Sequence, residues 1–143
     1  MNNQELTDLL ISWISLSAAF AFVFSDSGFI NLTGFGNALA IAALAVGTGF
    51  LLHELAHKYV AIHFGAKAEF RAWNLGLIIA LAVAVLFGFI FAAPGAVYIF
   101  GKRVSIRENG IISLAGPLMN IVIGVVSILI AGLYSTSQIG HVA

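Results

Sequence analysis

Charged side chains in this chain are few and bunched, and the apolar intervals between the bunches predict its elements. Residues 9–25 carry no charge and read Leu-Leu-Ile-Ser-Trp-Ile-Ser-Leu-Ser-Ala-Ala-Phe-Ala-Phe-Val-Phe-Ser. That is close to the shortest run able to cross a bilayer as a helix. Asp8 stands just ahead of it as a candidate cap, and Trp13 near its start suits an interfacial aromatic. Residues 25–36 form a turn-rich loop with Gly28, Gly34, Gly36 and the acid Asp26. A second helix is predicted from near Asn37 to His63 or Phe64, with Gly65 as its stop. Gly47 and Gly49 within it would let another backbone or a substrate approach closely. Residues 66–73 then alternate charged with apolar side chains, the period of a strand. Residues 75–93 are apolar for long enough to span, Pro94-Gly95 breaks that run, and residues 96–100 are strand-like. After a polar stretch to Glu108, Asn109-Gly110 reads as a turn. Residues 111–134 are the final span, with Pro117 tolerated near its start.

Composition turns these helices into membrane helices. Hydrophobic residues make up 61% of the 143, charged residues 8%, and mean hydropathy is +1.06. A soluble domain carries about 25% charge, so this surface cannot face water everywhere. The expected fold is an all-α integral membrane protein: one domain over 1–143, three to four transmembrane helices and a small membrane-associated β element. Net charge is zero, which gives no reason to expect a nucleic-acid partner. The absence of cysteine excludes disulfides and thiolate ligands. No Lys or Arg precedes the first apolar run, so that run is expected to be retained as a span in a prokaryotic cell membrane.

All six basic residues fall in two clusters, Lys58, Lys67 and Arg71, then Lys102, Arg103 and Arg107. The positive-inside rule puts both in the cytoplasm, together with the N-terminus. Residues 75–100 must then enter and return, or form a helix plus a membrane-buried strand, so that the segment is re-entrant or paired with 66–73. A plain crossing at 75–93 is the rival.

The chemistry concentrates in Leu51-Leu52-His53-Glu54-Leu55-Ala56-His57, an H-E-x-x-H motif. Helical spacing puts His53 and His57 one turn apart on one face, where two imidazoles can share a zinc ion. Glu54 lies about 100° round the helix, placed as a base toward water that the metal acidifies. Such patterns also recur by chance on soluble helices. Here no charge occurs over residues 27–52, and an ionisable group inside a bilayer costs roughly 2.5–3.5 kcal/mol on insertion scales. Two histidines and a glutamate clustered there call for a shared cation. His63 falls off the ligand face.

A second motif, Ala115-Gly116-Pro117-Leu118-Met119-Asn120, puts a backbone perturbation and an amide into the last span. Alone it reads as a helix start with a packing asparagine. With H-E-L-A-H before it and strand-like segments between, the chain resembles the site-2 protease family of intramembrane zinc metalloproteases. Gly47-Thr48-Gly49-Phe50-Leu51-Leu52 and Ala93-Pro94-Gly95-Ala96-Val97-Tyr98 look most like its small archaeal members.

The resemblance implies that His53 and His57 bind zinc and that Glu54 is the general base. It implies a sheet of residues 66–73 and 96–106 in which Ala96, Val97 and Tyr98 hold an unwound substrate helix by strand addition. It also implies a core helix bringing Gly116, Pro117 and Asn120 to the site. The partners so implied are the lipid bilayer and transmembrane protein or peptide substrates. In the family a third ligand comes from an aspartate in an Asp-Gly motif on a later helix. This sequence has only Asp8 and Asp26, with Glu69, Glu108 and His141 as conceivable substitutes. A C-terminally shortened protease is therefore expected. The alternatives are a helix-binding pseudoprotease, or a metal-transport component using the two histidines.

Overall fold

The computed structural model describes residues 1–25, 32–91 and 93–139, the side chains of Leu32 and 135–139 excepted. The first helix, α1, runs Asn3–Phe24. It is capped by Asn2, whose side chain accepts from the Glu5 N–H (2.7 Å), and not by Asp8. Both early acids can lie inside the helix because each meets a cation. Glu5 pairs with Lys58, and Asp8 lies 3.5 Å from Arg71.

A continuous helical path follows, made of α2 (Leu32–Val46), a π-helical turn (Gly47–Leu51) and α3 (Leu52–His63). It starts ahead of the expected Asn37, because Gly34 and Gly36 are absorbed into the helix; Asp26 and Gly28 lie outside the described residues. Trp13 is engaged by the second helical path. Its indole N–H donates to the Ala43 carbonyl (2.9 Å), and the ring lies against Gly47, where a β-carbon would crowd it. Gly49 has open space around it. At the far end Gly65 adopts φ +80°, with Gly65 N–H on Ile62 O and Ala66 N–H on Ala61 O. This Schellman closure ends α3 where the glycine predicted it.

Strand β1 (Lys67–Ala72) leads into α4 (Asn74–Phe87), and the chain returns as β2 (Gly95–Phe100). The strands pair antiparallel from Lys67 opposite Phe100 to Ala72 opposite Gly95. The rival to a re-entrant path, one plain crossing over 75–93, is not formed as a single helix. Gly88 takes φ +68° and stops α4 after 14 residues, about 21 Å of helix against a hydrocarbon core of about 30 Å. The chain thus goes out and comes back, and Lys67 and Lys102 end on the same side, with Lys102 Nζ donating to Phe64 O (2.8 Å).

The last helix, α5, covers Ile106–Ile139 and begins ahead of the expected residue 111. Ser105 and Glu108 form a capping box: Ser105 N–H donates to Glu108 Oε2 (2.7 Å) and Glu108 N–H to Ser105 Oγ (3.2 Å). Asn109 and Gly110, expected as a turn, are consequently helical, and Pro117 sits in the helix interior.

Three helices among the described residues are long and apolar enough to cross a membrane: α1, the path Thr33–His63, and α5. Ala61, Ala68 and Ile112 form the core where α3, the sheet and α5 meet, with Val97, Ile99 and Phe64 packed around them. Beyond Asn120, α5 exposes most of its apolar side chains.

Candidate metal centre

His53 and His57 are brought together on α3. Their Nε2 atoms face each other at 3.1 Å, and the rings meet edge to face with centroids 4.7 Å apart. In a tetrahedral zinc site with nitrogens at about 2.0–2.1 Å, neighbouring donors stand about 3.3 Å apart, so this spacing suits two ligands of one ion.

The outer nitrogens are also held. His57 Nδ1 lies 2.6 Å from the Ile112 carbonyl, which can only accept, so the ring's proton is on Nδ1 and its lone pair on Nε2. The Asn120 amide nitrogen, Nδ2, lies 3.0 Å from His53 Nδ1. Amide nitrogen and oxygen exchange by a half-turn of the side chain; with Asn120 turned so that its oxygen faces the ring, Nδ1–H donates to it and the second Nε2 is then bare as well. Two bare lone pairs at that distance repel unless a cation lies between them. The chemistry of this donor pair therefore fits zinc.

Helix α5 makes room for that arrangement. Residues 112, 116 and 120 lie on one face of α5, turned toward α3. Gly116 sits between the other two, where a β-carbon would overlap Nε2 of both histidines. Pro117 follows it on the helix. It lacks the N–H that would bond the Ser113 carbonyl.

Glu54 stands between two cavities. One, of about 340 Å³, is lined by Glu54, His57, residues of β2, and Asn109 and Ser113 of α5. The other, of about 380 Å³, is lined by His53, Glu54, Asn120 and apolar side chains of α1, α2 and the π turn. The Glu54 carboxylate has no hydrogen-bond or ion-pair partner among the described residues.

The strand at the first cavity has a bare edge. Phe70 N–H points away from β2, to Glu5 (3.2 Å), while Trp73 N–H bonds the Pro94 carbonyl. The narrow, non-bonded pairs are therefore 68/99, 70/97 and 72/95. It follows that the N–H and C=O groups of Gly95, Val97 and Ile99 point away from β1. Gly95, Ala96, Val97 and Ile99 line the cavity. Tyr98 does not; strand alternation sends its side chain to the exposed face.

No group of three His, Cys, Asp or Glu side chains able to hold an ion occurs among the described residues. Glu69 is engaged by Arg71 and Asn2, and Glu108 by Lys102 and the Ser105 cap. His141 lies outside the described residues. His63 packs on Phe64, apart from the pair. Sequence reasoning missed the π turn, for which the closely spaced Gly47 and Gly49 were a signal, and also Asn109 and Ser113. Those two become visible only as the one-turn continuation of the Gly116–Asn120 face.

No family model matches this sequence, and no solved structure matches it. Over 125 residues, 87% of this chain, it is 43% identical to a protein of Methanocaldococcus jannaschii whose curated name, given provisionally, is zinc metalloprotease. The chain spans 61% of that relative's length.

Proposed function

We propose that this chain carries the catalytic core of a zinc metalloendopeptidase that works within an archaeal cell membrane and cleaves transmembrane segments of other proteins. The observation that carries this reading is the His53–His57 pair, with Nε2 atoms 3.1 Å apart over Gly116 and both Nδ1 atoms held from outside. The relative's printed name supports zinc and proteolysis. The three long apolar helices support placement in a bilayer.

Bound zinc would polarise the scissile carbonyl and lower the pKa of water. His53 and His57 would hold it, with the remaining ligands coming from outside the described residues. Ile112 and Asn120 orient the two rings. Glu54, free of partners and facing the cavity, takes the proton from the attacking water and returns it to the leaving amine. The bare edge of β2 receives the substrate as an extended strand, which exposes a peptide bond that a helix would bury.

A second reading, a pseudoprotease that binds helices without cutting them, is favoured by the lack of a third ligand among the described residues. One experiment separates the two. The full-length protein is purified without chelators, its zinc content measured, and its cleavage of a labelled polypeptide followed. The protease binds near-stoichiometric zinc that His53→Ala loses, and Glu54→Gln stops cleavage while zinc stays. A protein whose cleavage is unaltered by Glu54→Gln, or which has none, is not this protease.

A further inference from the structure

Asn109 and Ser113 lie along α5 in the wall of the same cavity that the bare edge of β2 lines. We propose that these two side chains form a second rail for the substrate backbone. An extended polypeptide paired on one side with Gly95, Val97 and Ile99 is held on its other side by the Asn109 amide and the Ser113 hydroxyl. The proposal rests on the proteolytic reading only in taking the ligand to be a polypeptide.

An extended segment has polar groups along both edges. Those turned toward β2 find partners there, whereas those turned away need partners from the opposite wall of the cavity. A strand hydrogen-bonded on both edges is held more tightly than one bonded on a single edge. Asn109 brings two donors and an acceptor, and Ser113 a donor and acceptors, so together they can meet both N–H and C=O.

Their spacing fits as well. Positions 109 and 113 lie on one helix face about 6 Å apart, and same-edge peptide groups of a strand repeat at about 6.6 Å.

Several hydroxyls elsewhere in these helices turn back onto their own backbone. Ser17 donates to Trp13 O (2.7 Å), Thr48 to Leu44 O (2.9 Å) and Ser127 to Ile123 O (2.8 Å). Ser113 makes no such bond, and neither its side chain nor that of Asn109 has a partner among the described residues. One further turn of the same face leads to Gly116 and the histidines, so the rail runs into the metal centre.

The test uses fluorescein-labelled β-casein, an unfolded chain, with the full-length protein in detergent. KM and kcat are measured for the wild type and for Asn109→Ala/Ser113→Ala. The dissociation constant is measured separately by anisotropy in a Glu54→Gln background, where no cutting is needed. Removing both side chains is expected to raise KM and Kd about tenfold, with the loss on KM and not on kcat, and Ser113→Thr to stay within about threefold of wild type. Zinc content is unchanged. KM and Kd unmoved by the double change overturn the rail while leaving proteolysis standing, and so does weakening accompanied by zinc loss. No casein binding to the Glu54→Gln protein overturns it too. If the wild type binds casein without cutting it and the double change weakens that binding, the rail stands and the protease reading falls.

Discussion

Two polar clusters stand side by side on α3, and they are built in opposite ways. Lys58, directly after His57, is buried with Glu5, which has no exposed surface. Its ammonium donates to both Glu5 oxygens (2.5 and 2.6 Å), and the same carboxylate accepts Phe70 N–H (3.2 Å). That cluster is closed: it ties α1, α3 and β1 at one point and leaves nothing over. At the His53–His57 pair the reverse holds. The two Nε2 atoms face each other without a partner of opposite charge, and Glu54 faces two cavities unpaired. Neighbouring residues on a helix point about 100° apart, so Lys58 and His57 can serve different neighbours. Saturated groups hold the fold together, while groups left converging and incomplete are available for a cation and a substrate.

The sharpest way to break this contrast is to neutralise one acid in each cluster. Glu54→Gln is expected to lower cleavage about 10²- to 10⁴-fold, the range for losing a general base, with zinc content and unfolding midpoint unchanged. A midpoint that drops sharply would show that Glu54 belongs to the structural cluster after all. Glu5→Ala is expected to do the opposite, leaving Lys58 as an orphan charge at a cost of about 3–5 kcal/mol of stability. Glu5→Leu/Lys58→Met removes both charges and should recover most of that loss in a denaturant titration. A double variant as unstable as the single one would mean that the salt link itself fixes the geometry.

The same contrast explains what could be read along the chain. Local signals were sufficient for the α3 stop at Gly65, the two strands and the H-E-x-x-H face, because each depends on residues within a turn or two. The Glu5–Lys58 pair joins positions 53 residues apart, and no periodicity announces it. Asp8 resembles a cap only because it directly precedes the uncharged run from Leu9. The α5 start was legible in principle, since Ser105-Ile-Arg-Glu108 is a capping-box pattern, but Asn109-Gly110 gave the stronger turn signal and prevailed. At β2 the strand was recognised, but which face meets the cavity depends on register with β1. Register gives the cavity Gly95 and Ile99 along with Ala96 and Val97, and leaves Tyr98 out. Hydropathy over 75–93 left a full crossing open as the rival to the re-entrant path that the charge clusters indicated, and α4 stops at Gly88.

Closing the open cluster by steric means is the next test. Gly116→Ala places a methyl group where both Nε2 atoms converge. Helix propensity favours alanine, so α5 should not weaken. Zinc affinity is expected to fall by about two orders of magnitude or more, since the loss of outer contacts alone reaches that range. Full zinc content in the alanine variant would show that α5 stands further from the histidines than this geometry requires.

The smallest effect probes the orienting contacts. If Asn120 holds His53 by accepting from Nδ1–H, then a carboxylate at that place accepts at least as well and an alkyl group not at all. Asn120→Asp should therefore keep zinc affinity, whereas Asn120→Leu should lower it about 10- to 100-fold, both read by competition with a zinc-binding dye. His57 is the internal control, because its Nδ1 is held by the Ile112 backbone and neither substitution touches it. Equal affinity in the leucine variant would mean that packing alone orients His53, and the open cluster would then be less prepared for its ion than the closed one is for its pair.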